Sequence, residues 1–466
     1  MTIDVLPDDV LLETFDFYLE EDDANEFDHY RGYDEWQTLV HVCRRWRCIV
    51  FASPRRLDLK LRCTQQRLVD SKTLDIWPAL PIVVVAEGIG SKEDVTNVIA
   101  ALRHHNRVCK ISCRSGQFQN ILLKEFAAID DPFPALTSLD LSSVQQGHVP
   151  VLPDSFLGGA APRLRSLELF GIPYPSIGTL LSSTTNLVEL SLWNIPRSGY
   201  FAPEMIVPCL STLLRLESLE LKFQYPRSLA HRASRHPPPL TRVALPNLTV
   251  FNFRGDIEYL EDVLSQIETP MLNKSRFFFF NQLIFDTPLL GHFIRRTETF
   301  MKIHRARIQI FSSAVVVMLL REEMANSNRD ALHLEIPCKS LDWQLSAVSQ
   351  VLNSFLSFLP TLDRLELKIS LYPGDWQGEM EVIQWREFLH PFGSVKEMTL
   401  RSIDSVRLVA PALQELAEER ETEVLPALQG VFLETPNWQP SGSVKEAIEQ
   451  FITTRQLSDH PVTVHY

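Results

Sequence analysis

Apolar positions recur in a short fixed pattern along most of the chain. The unit apolar-x-x-apolar-x-apolar stands at Leu136/Leu139/Leu141, Leu164/Leu167/Leu169, Leu187/Leu190/Leu192, Leu216/Leu219/Leu221 and Leu248/Phe251/Phe253. It returns at Leu362/Leu365/Leu367, Val395/Met398/Leu400 and Leu428/Val431/Leu433. The units start 28, 23, 29 and 32 residues apart in the first block, and 33 and 33 in the second. Prolines often lead in, at Pro134, Pro162, Pro246, Pro360 and Pro426. The last two apolar positions of a unit bracket one polar residue, the period of a strand with one buried face, so each unit predicts a short strand and a return segment. Between 254 and 361 the period blurs. There Arg276 to Asp286, Arg305 to Phe311, Ala314 to Leu320 and Ala331 to Ile336 read as strands, and Glu258 to Ile267 and Trp343 to Phe355 as helices. Within residues 53–130 a strand is predicted over Pro81 to Ala86 and a helix over Lys92 to His104. The run RFFFFNQLIF, 276–285, reads as a core strand buried on both faces.

The first fifty residues follow a helical period instead. Leu11, Phe15, Tyr18 and Leu19 share one helix face; Pro7 suits the first turn, and Asp8 and Asp9 set negative charge against the positive end of the dipole. Leu39, Cys43, Trp46 and Val50, with Arg44, Arg45 and Arg47 between them, predict a second amphipathic helix or a bent pair. So small a unit covers too little of its own apolar surface, which implies a partner. The bland alternative is a helical hairpin docked on its own domain.

A single strand unit cannot bury its apolar edge, so neighbours must stack into one curved core. The strand half resembles the leucine-rich repeat. The Asn or Cys that the repeat carries three places beyond the last leucine is absent, Asn194 missing that place by one residue, so the repeat is degenerate. At the N-terminus, Leu6, Pro7, Val42, Cys43 and Trp46 resemble the Leu-Pro and Val-Cys-x-x-Trp pieces of the F-box family. Family members join the two halves by a short turn, where this chain has the polar stretch Glu20 to Glu35. The resemblance implies an α/β protein: an N-terminal helical F-box module, 1–52, a linker or atypical capping repeat, 53–130, and an irregular leucine-rich-repeat solenoid with a curved, mostly parallel sheet, 131–466. It further implies a non-enzymatic substrate-recognition subunit of a cullin-RING, SCF-type ubiquitin ligase. Leu6, Pro7, Val10, Leu11, Phe15, Val42, Cys43 and Trp46 would hold a Skp-type adaptor, and through it the cullin, while the repeats hold a target protein. The alternative is a repeat scaffold that binds protein without a ligase.

Charge sets the N-terminus apart. Residues 1–35 hold 13 Asp and Glu against Arg31, net −12 of the chain's −13, and residues 36–72 swing to +7. The acidic stretch reads as a solvated loop. With a pI of 5.5 there is no general electrostatic case for nucleic acid. No basic-then-apolar leader is visible and the longest apolar run is Ala314 to Leu320, so no membrane span is expected. Seven scattered cysteines suit a reducing compartment, and the expected location is intracellular, cytoplasmic or nuclear.

Stacked strands line up their outward residues in columns. One column reads Asp140, Glu168, Ser191, Glu220, Asn252, the next Ser142, Phe170, Trp193, Lys222, Arg254. Adjacent outward aromatics suit an interface anchor, so Asp140, Glu168, Phe170, Trp193 and Glu220 are the candidate target-binding residues, with a basic target favoured. Catalytic chemistry is not legible. Gly88 and Gly90 after a strand open a dinucleotide fingerprint, but Glu93 stands where its third glycine belongs. His104, His105, Cys109 and Cys113 lack zinc-site spacing, so no metal or cofactor is expected. The Arg- and Pro-rich segment 226–240 reads as an edge insertion, with a polyproline or basic contact as the alternative.

Overall fold

The computed structural model describes residues 6–20, 36–64, 79–114, 116, 118–143, 149–226, 242–281, 285–321, 330–338, 341–356, 359, 361–370, 382–418, 424–435, 438–458 and 460–466. The expectations for the acidic stretch from 21 to 35, for the 227–240 insertion and for 282–284 lie outside these residues. The chain divides into two compact units, Met1–Phe201 and Ala202–Tyr466.

The first unit opens with helices α1 (Asp8–Glu20), α2 (Trp36–Val42) and α3 (Arg44–Ala52). The second predicted helix is thus the bent pair. Cys43 breaks it: its backbone is extended, φ −157° and ψ 170°, and its Sγ accepts from the Trp46 amide at the start of α3, acting as an N-cap. Six strands follow, β1 (Leu61–Thr64), β2 (Ile82–Glu87), β3 (Val108–Arg114), β4 (Ser138–Ser142), β5 (Ser166–Phe170) and β6 (Glu189–Ile195). Each pairs in parallel with the next. Parallel pairing requires a crossover between strands, and α4 (Lys92–Leu102), α5 (Gln119–Ala127) and α6 (Ile177–Leu181) lie in three of them.

Register confirms the alternation read from sequence. Leu139, Leu167 and Leu190 form one row and Leu141, Leu169 and Leu192 the next, all buried. The first row extends back through Ile111, Val84 and Cys63, so residues 53–130 contribute three strands in register with those that follow. Where the repeat's asparagine is missing, a glutamine from the next helix substitutes. Buried Gln119 donates through Nε2 to the Cys113 carbonyl at 3.1 Å and to that of Ser142, tying two strand ends together. Asn194, the penultimate residue of β6, lies in the left-handed region, φ 53°, which asparagine tolerates.

The second unit contains α7 (Pro203–Leu210), β7 (Ser218–Phe223), β8 (Val243–Ala244), β9 (Val250–Gly255), α8 (Ile257–Gln266), β10 (Ile267–Glu268), β11 (Lys274–Phe279) and α9 (Pro288–Arg296). It continues with β12 (Ile303–Phe311), β13 (Ala314–Arg321), β14 (Asp330–Pro337), α10 (Leu341–Asn353), β15 (Arg364–Ser370), α11 (Val382–Leu389), β16 (Glu397–Leu400), α12 (Ile403–Glu418), β17 (Gly430–Leu433), α13 (Ser443–Leu457) and β18 (Thr463–His465). Its main sheet runs β7-β9-β11-β14-β13-β12-β15-β16-β17-β18. β13 is antiparallel to both neighbours; only Ser312 and Ser313 separate it from β12, too short for a crossover. This folded-back strand is what blurs the period between 254 and 361.

One expectation fails here. The phenylalanine run is not buried on both faces: Phe277 and Phe279 are buried, Phe278 is half-buried with its ring 5.5 Å from that of His333, and the strand ends at Phe279. Continuous burial occurs instead in β2, where Ile82 to Ala86 are all inside. Gln344 repeats the role of Gln119, its Nε2 donating to the Cys338 carbonyl at 2.7 Å and the Phe311 carbonyl at 2.8 Å.

Candidate protein-binding surfaces

The N-terminal helices sort their apolar residues into two sets. Leu11 and Phe15 lie inside the hairpin, with the Phe15 ring 4.7 Å from that of half-buried Trp46. Arg45 ties α1 to α3 by donating to the Asp8 carboxylate at 2.6 Å and to the Leu6 carbonyl at 2.5 Å, and Arg56 pairs with Glu13. Buried Trp36 anchors the hairpin to the chain beyond it, its Nε1 donating to the Lys60 carbonyl at 2.7 Å. The other set faces outward: Leu6, Val10, Phe17, Tyr18 and Val42 are 37%, 44%, 65%, 43% and 58% exposed. Pro7 is exposed beside them, and Cys43 is half-buried as a cap.

Of the candidate adaptor residues, then, Leu6, Pro7, Val10 and Val42 present surface, whereas Leu11 and Phe15 shape it from beneath. Tyr18, expected to share one helix face with Leu11 and Phe15, is exposed while those two are buried. Phe17 escaped the sequence reading although its spacing from Val10, i and i+7, puts both on one helix face.

On the sheet of the first unit, Phe170 pairs directly with Trp193 across β5 and β6, and both rings are half-buried. The acidic column beside them is not an open one. Asp140 is buried, its carboxylate accepting from Ser112 Oγ at 3.0 Å and Arg114 Nε at 2.6 Å. Arg114 also stands 3.9 Å from Glu168. In the second unit, mostly covered Glu220 is held by Lys222 Nζ at 2.7 Å and Asn252 Nδ2 at 2.9 Å. A buried carboxylate needs such partners, and here Arg114 and Lys222 offset two of the three negative charges that were expected to select a basic target.

The chemical candidates resolve into structure. The amides of Gly90 and Ser91, which a phosphate would need, donate to Asp94 at 3.0 and 2.9 Å, and Ser91 with Asp94 forms a capping box on α4. Burial, with Asp140 adding to it, pushes the Cys113 thiol up to about 12, so it stays protonated near neutrality and is a poor nucleophile. His105 stacks edge-on to Phe133 at 6.1 Å. Among the described residues no three His, Cys, Asp or Glu side chains are grouped to hold a metal ion, and no helix is long and apolar enough to cross a membrane.

No protein-family model and no curated protein matches the sequence. Among solved structures, the leucine-rich repeat-containing protein LegL7 from Legionella pneumophila is similar over 78% of this chain and 95% of its own, with 13% identity and a TM-score of 0.28. The repeat reading rests on the strand register and not on that likeness.

Proposed function

We propose that the protein is a non-catalytic adaptor of the SCF type, with residues 1–52 docking on a Skp-type protein of a cullin-RING ubiquitin ligase and the repeats holding the protein to be modified. The observation that carries this reading is the outward apolar set on the N-terminal hairpin, Leu6, Val10, Phe17, Tyr18 and Val42. Leu6 and Val42 belong to the pieces that resemble the F-box. Burying one such side chain in an interface is worth ~1.5–3 kcal/mol, so a partner that covers several of the five would gain several kcal/mol. On the repeat side, the Phe170–Trp193 pair with Glu168 beside it offers an aromatic anchor for a target.

The test is binding of the full chain to a purified Skp-type adaptor. Micromolar or tighter affinity is expected. Replacing Val10 and Phe17 by Asp, both on the exposed face, should weaken it by ~2 kcal/mol or more, about thirtyfold, without loss of fold. An intact chain that shows no adaptor binding at micromolar concentration reduces the function to that of a protein-binding repeat scaffold.

A further inference from the structure

The main sheet of the second unit carries a cluster of cations on one face. Across β12 and β15, Arg305 sits beside Arg364 and Arg307 beside Glu366. Arg401 directly follows β16. A single carboxylate, Glu366, gathers three of these: its side chain is 6% exposed and receives Arg305 Nη1 at 3.2 Å, Arg307 Nε at 2.7 Å and Arg401 Nε at 3.1 Å. Arg401 also reaches Glu434 at 3.3 Å, and Arg364 reaches Glu397 at 3.1 Å. Lys368, two residues beyond Glu366 and so on the same face of β15, is exposed. Among the described residues, Arg305, Arg307, Arg364, Lys368 and Arg401 therefore meet Glu366, Glu397 and Glu434, a local surplus of positive charge on a chain whose net charge is −13.

Arginines brought this close repel one another and would scatter in solvent. Glu366 holds them together. A buried carboxylate is a poor device for stability, since an apolar side chain in its place is often as good, but it is an effective one for pre-ordering donors. Each guanidinium offers five N–H groups, and Glu366 can take few from each of its three partners. The Arg305 and Arg401 side chains remain 38% and 37% exposed, so donors that Glu366, and for Arg401 also Glu434, leave unused are open to a ligand in an arrangement whose ordering cost is already met before it arrives. The planar fork suits a carboxylate in two-point contact. Further along the same face, Phe432 stacks on His465 with ring centroids 4.7 Å apart, an apolar step next to the charges.

We infer that this face binds an acidic, extended segment of a partner protein, its carboxylates seated on Arg305, Arg401 and Lys368. The assignment does not depend on whether the N-terminal helices hold an adaptor. Charge complementarity is local: the overall negative charge repels a long polyanion such as a nucleic acid, whereas a short acidic segment can be confined to the one face that attracts it.

The experiment is fluorescence anisotropy of the full chain with a labelled oligoglutamate peptide, with oligoglutamine and single-stranded DNA as comparators. Oligoglutamate should bind at least about tenfold tighter than oligoglutamine, with affinity falling as salt rises. The Lys368→Glu, Arg401→Gln double variant should weaken it about tenfold or more while adaptor binding is unchanged. Lys368→Glu alone, at an exposed position, keeps the test valid if the double variant unfolds, and should itself weaken binding measurably. Failure of the wild type to bind oligoglutamate, equal binding by the folded variants, or equal affinity for single-stranded DNA overturns the assignment.

Discussion

Gln119 and Gln344 stand six residues beyond Cys113 and Cys338, at the start of the helix that follows a strand, and each bridges two carbonyls with one amide nitrogen. Replacing Gln119 by Ala removes the amide that bridges two strand-end carbonyls, at a cost of ~1–3 kcal/mol. Glu at the same place should be no better, because a carboxylate accepts and cannot donate. Urea unfolding of the two variants checks this; wild-type stability in either would assign the strand-end pairing to other groups. These glutamines were illegible in the sequence for a physical reason. The repeat pattern looks for a short side chain just past the strand, whereas here a longer one reaches back from the helix, so its position follows no strand spacing. Asp140 was misread in the opposite sense. Its place on the outward side of β4 was legible, but its partners, the Arg114 cation and the Ser112 hydroxyl, lie on the adjacent strand, which only the register brings alongside it.

At the scale of elements the period-2 signal was sufficient. Leu167 and Leu169 are buried while Glu168 between them is not, and the predicted strands and helices between 303 and 355 agree with the observed bounds to within two residues. The stabilisation of each strand lies in its inward row. Leu167→Ala should therefore destabilise by ~2–5 kcal/mol through lost burial and a cavity, whereas Ser166→Ala, on the half-buried side of the same strand, should stay within ~0.5 kcal/mol. Chemical denaturation of both variants separates them, and equal effects would contradict the one-sided core. What the pattern could not supply were the interruptions. Cys43 lies at an apolar position of a helical period and yet has extended backbone, because an N-cap for α3 is worth more there than one more helical residue. The reversal at Ser312 and Ser313 is likewise a matter of loop length rather than of apolar spacing.

At the scale of the whole chain, charge was legible in sum but not in place. The acidic N-terminus is a property of consecutive residues, whereas the cationic face arises because Arg307 and Glu366, 59 residues apart, become neighbours when β12 pairs with β15. Stacking also makes stability cumulative, since each repeat is covered by the next. In the second unit α13 illustrates this. It buries only Ala447, Ile448, Phe451 and Arg455, one face of the helix. Ile448 and Phe451 close a small apolar space with Leu413 of α12 and with Val431 and Leu433 of β17. Arg455, itself buried, donates to the Leu425 carbonyl at 3.3 Å and the Leu428 carbonyl at 3.5 Å, just ahead of β17. Removing residues 443–466 would expose that apolar row and take away the Arg455 donor, although the Leu425 carbonyl keeps the Leu428 amide at 3.1 Å. With ~1.5–3 kcal/mol for each large side chain uncovered, the truncated chain should unfold at least ~3 kcal/mol more easily and bind a hydrophobic dye that the intact chain does not. Substituting Ala for Lys445 and Glu449, an exposed pair on the outer side of the same helix, should change stability by less than ~0.5 kcal/mol. Equal loss in the truncation and the surface variant would show that α13 is not the element that closes this end of the second unit's core.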